Sequence, residues 1–395
     1  MKTKIIYIAF MPLTEKIYRE WFVSFLRERD YDVEYWNLSP FLQGLKDENG
    51  LQDDRITRFF YSFREFEAGL AALKTDATVC VMLMGYGERF VPVYRLMTKY
   101  RCRMVYLAWG YIPWQRARRL KEKVSLFANP ARLAKKLFFK IRAVAYRKLG
   151  LVAPYDVVFS SSPSIAAANF NVRKIVPINS LDYDRFIEGG EDLHLETSAP
   201  FAVFLDIFLP HQSDLVFSKT RTIDADRYYS SLNRFFDLIE EVCGICVVIA
   251  AHPKAKYADD RFGGRKIFYG KTPALVKCSS FVISHNSTSI SFAILAQKPA
   301  VFIYTQEMDE LYQNTTVSDI KTIAGFIGAS AYNIDGANIK NEFVPPFADH
   351  ERYEAYKRDF LVASGAGDVP GRDVFFKEIR RLIDDQKNIS SVVDA

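Results

Sequence analysis

Val247-Val248-Ile249-Ala250-Ala251-His252-Pro253-Lys254 is the stretch on which the reading of the fold turns. Four apolar β-favouring or small residues run into Ala251, and the pattern then stops at a histidine, a proline and a lysine. A short apolar run closed by a breaker suits a fully covered strand of a parallel sheet. In open α/β sheets, ligands bind just past the carboxyl ends of such strands. His252 and Lys254 therefore stand in a crevice, with Pro253 fixing the backbone between them.

The surrounding half repeats that pattern. Phe201–Asp206, Lys266–Tyr269, Ser280–Ser284 and Ala300–Tyr304 read as further strands. The segment Asp226–Val242 has the spacing of a helix, with Leu232, Phe235, Phe236, Ile239 and Val242 on one face. Another helix starts near Ser289, and Val374–Leu382 is a closing helix.

The first half opens with a strand at Ile5–Phe10, a helix over Lys16–Arg29 and a strand at Asp32–Trp36. That β-α-β order predicts a parallel sheet wound in the right-handed sense. Thr78–Met84, Arg103–Trp109, Val157–Ser160 and Lys174–Pro177 add strands. The acidic, weakly patterned stretch from Ile187 to Pro200 reads as a linker. The expectation is two Rossmann-like domains facing a cleft. Residues 1–190 form one, with a basic insertion at about 115–149, and 200–395 form the other, which includes the closing helix.

Composition narrows the class. The 395 residues are 49% hydrophobic and 25% charged, ordinary for a globular chain with a sizeable core. No apolar run is long enough for a membrane span, and the N-terminus has no small-residue cleavage site. Five cysteines without a spacing framework suggest a reducing cytoplasm. The net charge of +6 is local. Arg116–Lys148 holds twelve lysines and arginines against Glu122 alone, so it carries +11 and the remainder −5. Leucines and phenylalanines interleave these cations, a pattern that suits an anionic membrane surface. No stacking platform or groove-binding helix accompanies the charge, so nucleic acid is not expected as a partner.

Four features of the second half fall at strand ends. Asp206 closes one strand and is followed by His211. His252-Pro253-Lys254 closes another, Gly270-Lys271-Thr272 follows a third, and Ser287-Thr288-Ser289 bridges a fourth strand and a helix. A helix N-terminus with hydroxyls suits a phosphate, and histidine and lysine add donors and charge. An acceptor hydroxyl would need a carboxylate or imidazole as base; Asp206 and His211 are the candidates. No metal ligand set and no cofactor is expected. Gly85 and Tyr86 follow one strand of the first half, Trp109 and Tyr111 another, and these are the candidates for an acceptor side of the cleft. Cys243 and Cys246 imitate a redox pair but lead into a buried strand, so they read as core.

The His252-Pro253 pair after a central strand, with the Ser287-Thr288 cluster further on, resembles bacterial glycosyltransferases of the GT-B fold. The pattern is most similar to families using CMP-activated nonulosonic acids or Kdo, the sialyl-, polysialyl- and Kdo transferases of surface polysaccharides. The opening from Ile5 to Leu38 also looks like the starts of O-antigen glycosyltransferases. The resemblance implies that His252, Ser287 and Thr288 hold the donor phosphate and that Asp206 is the catalytic carboxylate. Several of these families carry an acidic-acidic-Gly triplet; here Asp206 is followed by Ile207-Phe208. The implied activity is transfer of a nonulosonic acid from CMP to a surface-glycan acceptor, at the cytoplasmic face of the inner membrane. UDP- or GDP-sugar transfer on the same fold, or a non-catalytic binding role, are the alternatives.

Overall fold

The structure, a computed structural model, describes residues 3–44, 55–74, 77–109, 130–188, 199–211, 222–257 and 260–393. They form two compact units. One takes the residues up to 109, those from 130 to 181 and those from 362 onward; the other takes residues 182–361.

The first unit is a seven-stranded parallel sheet. Its strands are β1 (Lys4–Ala9), β2 (Asp32–Asn37), β3 (Thr57–Phe59), β4 (Thr78–Met82), β5 (Arg103–Ala108), β6 (Tyr155–Ser160) and β7 (Val172–Pro177), in the order β3-β2-β1-β4-β5-β6-β7. The chain winds one way from β1 and then the other, so the switch point lies between β1 and β4. The central strands are buried over almost their whole length, which is why they read as continuous apolar runs.

The expected helix over residues 16–29 is two helices, Glu15–Glu20 and Val23–Arg27. Phe22 breaks it with a left-handed φ of 62°. The break is compensated locally. The Tyr7 hydroxyl donates to the Trp21 carbonyl (2.6 Å), and the Phe22 ring packs 5.3 Å from Trp109 and 5.2 Å from Phe375.

Phe375 belongs to the closing helix, which runs Gly371–Val393. The sequence placed that helix with the C-terminal half. Its apolar residues Phe375, Ile379, Leu382 and Ile383 instead join the first unit's core. Polar contacts hold it there. Lys174 pairs with Glu378 at 2.8 Å, and the Arg103 guanidinium donates to the Leu382 carbonyl. Burial pushes the Glu378 carboxyl up, but hydrogen bonds from Arg381 and Lys174 outweigh it and hold the group below its ordinary range.

The second unit is a six-stranded parallel sheet of β8 (Phe201–Leu205), β9 (Cys246–Ala251), β10 (Ile267–Tyr269), β11 (Phe281–Ser284), β12 (Ala300–Tyr304) and β13 (Ala331–Asn333), in the order β10-β9-β8-β11-β12-β13. The helix Ala225–Cys243 buries Leu232, Phe235, Phe236 and Ile239 as its spacing required, while Val242 is exposed. It starts at Asp224, whose side chain accepts from the Arg227 N–H, and ends at Gly244 in the left-handed conformation. The helix Leu181–Glu188 runs into the first residues of the expected linker, and from Asp182 on it goes with this unit. Lys277 donates to the Phe186 carbonyl (2.7 Å) and stands 4.3 Å from its ring.

Candidate phosphate-binding rim of the second unit

Because all six strands are parallel, their carboxyl ends share one rim. Leu205 of β8 lies level with Ala250 of β9 and Ser284 of β11. The residues just past them therefore line up at the switch point between β8 and β11, where doubly wound sheets bind ligands. His252 follows β9, Asp206 follows β8, Asn286 and Ser287 follow β11, and Gly270 follows the edge strand β10.

His252 opens a tight turn in which the Ala255 N–H donates to its carbonyl (2.8 Å). Pro253 occupies the second turn position, where its fixed φ is pre-set. The Lys254 N–H donates to His252 Nδ1 (3.2 Å). An N–H can only donate, so Nδ1 carries the lone pair and the neutral ring's proton sits on Nε2. This imidazole is half-buried. Lys254 is exposed beside it.

Asp206 is buried, and three donors converge on its carboxylate. Oδ1 accepts from the Phe208 N–H (2.8 Å). Oδ2 accepts from the His252 N–H (3.1 Å) and the Tyr257 hydroxyl (2.6 Å). Burial, then the Asp206 charge, push the Tyr257 hydroxyl well up, so it remains a donor. The carboxylate thus ties the tips of β8 and β9 and the Tyr257 segment together. Its three accepted bonds make Asp206 a structural tie at the rim. Phe208, held at φ 52°, stacks 4.9 Å from the exposed His211 and edge-on to Tyr257 at 5.8 Å.

Beyond β11, the Ser289 N–H donates to Ser287 Oγ (3.2 Å), shaping the turn into the short helix Ile290–Leu295. Thr288 is exposed, while Ser287 and Ser289 are half-buried. Gly270 has a φ of 68°, which a side chain would strain, and Thr272 begins the Thr272–Cys278 helix next to the same rim.

His285 lies under the rim and is fully buried. Its Nδ1 faces the Ile303 carbonyl at 2.6 Å and its Nε2 faces the Tyr228 hydroxyl at 2.9 Å. The carbonyl only accepts, so Nδ1 donates and Nε2 accepts from Tyr228. Burial lowers the imidazole's pKa to about 4. No sequence pattern marks Tyr228 or Tyr257; each meets its partner more than fifty residues away along the chain.

In the first unit the Gly85–Tyr86 loop follows β4. The Tyr94 hydroxyl donates to the Met84 carbonyl and accepts from the Tyr155 hydroxyl, both at 2.5 Å; Tyr155 in turn accepts from the Tyr86 N–H (3.1 Å). Burial pushes both phenols up, so they stay protonated. This relay pins the loop from both ends. A side chain at Gly85 would find Tyr106 at an ordinary 3.6 Å, so closeness does not require glycine there. Trp109 packs against Trp21 and Phe22 in the core, with its indole Nε1 buried and unpaired. Tyr111, and Arg116–Asn129 of the basic stretch, lie outside the described residues. Among the described residues, no three His, Cys, Asp or Glu are grouped as a metal site, and no helix is long and apolar enough to cross a membrane.

No family model and no curated protein sequence matches the chain. Among solved structures, CalG4, the calicheamicin glycosyltransferase, is similar over 98% of this chain and 99% of that one, with a TM-score of 0.54 at 12% identity. The glycosyltransferase SnogD from Streptomyces nogalater aligns over 97% and 100%, with a TM-score of 0.48 at 12% identity. Identities this low carry the fold alone: the chain has the two-unit, Rossmann-like GT-B fold.

Proposed function

We propose that the chain is a glycosyltransferase whose second unit holds a nucleotide-sugar donor and whose first unit meets the acceptor. The observation that carries this reading is His252, latched through its backbone N–H to Asp206 with its tautomer set by Lys254. Its Nε2–H donates to a donor phosphate oxygen, and Lys254 adds positive charge. The Ser287–Thr288 turn lies two strand spacings away, roughly 10 Å. The donor is read as a UDP- or GDP-sugar in preference to a CMP-nonulosonate, for which the likeness to CalG4 offers no support. Gly270 and Thr272 extend the rim for the rest of the nucleotide. His211 takes the proton of the acceptor hydroxyl, with Asp206 positioning the rim beneath it. The Gly85–Tyr86 loop faces the acceptor, a surface glycan carried on lipid.

Thermal shift against CMP, UDP and GDP tests the donor. UDP or GDP should raise the Tm, and His252→Ala should weaken that binding roughly tenfold or more. A response to CMP alone would restore the CMP-sugar reading; silence from all three would favour a non-catalytic binding protein. His211→Ala should leave nucleotide affinity unchanged and slow transfer of the sugar by roughly 100-fold to 10,000-fold. Unaltered turnover would remove it as the base.

A further inference from the structure

The Pro130–Lys148 helix carries seven lysines and arginines and no acid. Its inner side is held on the first unit. The Arg95 guanidinium stands 5.3 Å from the Tyr146 ring, and Arg147 stands 4.6 Å from Tyr86. The other side is apolar and faces water. Leu137, Phe138, Ile141 and Val144 are exposed by 55%, 59%, 60% and 43%. Their spacing makes one stripe along the helix. Leu149 and Leu151 continue it past the helix end, at 71% and 39%. A groove of about 660 Å³ follows, lined by Leu151 with Phe63, Pro92 and Leu96, and edged by Arg95 and by Lys99 paired with Glu67 at 2.5 Å.

Charge decides what covers this stripe. Lys140 and Lys148 are exposed beside it, and no acid occurs anywhere between residues 123 and 155. A second copy stacked on the stripe would set cations against cations. An acidic protein would meet the charge but supplies no reason for six exposed apolar side chains in a row. A bilayer with anionic headgroups meets both, with acyl chains for the stripe and phosphates for the lysines. We propose that this face of the first unit docks on an anionic lipid bilayer. Leu137, Phe138 and Ile141 enter the headgroup–chain boundary, Lys140 and Lys148 pair with headgroup phosphates, and the groove continues the apolar surface. The inference does not depend on the donor or on catalysis.

Vesicle co-sedimentation at about 0.15 M salt tests it, using phosphatidylglycerol–phosphatidylcholine vesicles against phosphatidylcholine alone. The protein should pellet with the anionic vesicles and not with the neutral ones. Lys140→Ala and Lys148→Ala should each lower partitioning roughly fivefold. Leu137→Ser/Phe138→Ser/Ile141→Ser should lower it on the order of 100-fold. All these positions are exposed, so an unchanged Tm certifies the fold of each variant. Failure to bind anionic vesicles would overturn the proposal, as would full binding by the triple serine variant. So would a self-association that the triple variant abolishes in a protein that ignores vesicles.

Discussion

Asp206→Ala is expected to destabilise the second unit by about 3 kcal/mol, a Tm drop of roughly 10 °C. It removes the acceptor shared by the Phe208 N–H, the His252 N–H and the Tyr257 hydroxyl, all at or under 3.1 Å. Each buried donor left without a partner costs about 1–3 kcal/mol. The His252 turn loses its anchor at the same time, so nucleotide affinity should fall with stability. Asp206→Asn should behave similarly, because its amide NH2 must face at least one of those donors. A carboxylate acting only as a proton acceptor gives the opposite result. Its asparagine variant would keep the Tm and the nucleotide affinity and lose turnover alone. Melting curves with a nucleotide titration therefore separate the two roles before any acceptor is identified.

The second large effect is acid sensitivity from His285. An exposed histidine titrates near 6.5; burial lowers this one to about 4 in the folded chain. Between those values the unfolded chain binds a proton that the folded chain does not. Its stabilising contribution is complete above pH 6.5 and falls progressively as the pH drops toward 4, by about 3 kcal/mol in all. The charged ring would also lose its bond from Tyr228, since Nε2 could no longer accept. Thermal melts between pH 7.5 and 4.5 read this directly. His285→Gln keeps a donor and an acceptor but cannot titrate. Its melting temperature should fall less steeply over that window than the wild type's; parallel curves would rule the imidazole out as the source. Carboxylates such as Glu378 contribute equally to both proteins, and the comparison removes them.

The strands that position the rim were legible because each is a short apolar run with an abrupt polar end, as at Ala251–His252 and Ser284–Ser287. The strands β3 and β13 were not. Each has three residues on a sheet edge and is partly exposed, so neither leaves an apolar run. The break at Phe22 was hidden because a left-handed residue held by a distant Trp and Phe leaves no local sign. Placing His252 and Ser287–Ser289 on one rim needed only the parallel sheet that the β-α-β order implied. What Asp206 and His285 do needed their partners. Tyr257 and Tyr228 meet them through folding, and no spacing announces a hydrogen bond across fifty residues. The closing helix shows the same limit: its apolar face said that it was covered, but not by which sheet.

That helix imposes an order of events during synthesis. Residues 362–393 emerge from the ribosome only after residues 182–361, so the nascent first unit waits for its own last piece. At roughly 5–20 residues per second the delay is on the order of ten seconds or more. Phe22 and Phe159, which the Phe375 ring covers at 5.2 and 5.0 Å, stay open to other chains through that interval. Of the two units, the one whose strands are made first is the one whose last helix is made after the other is finished.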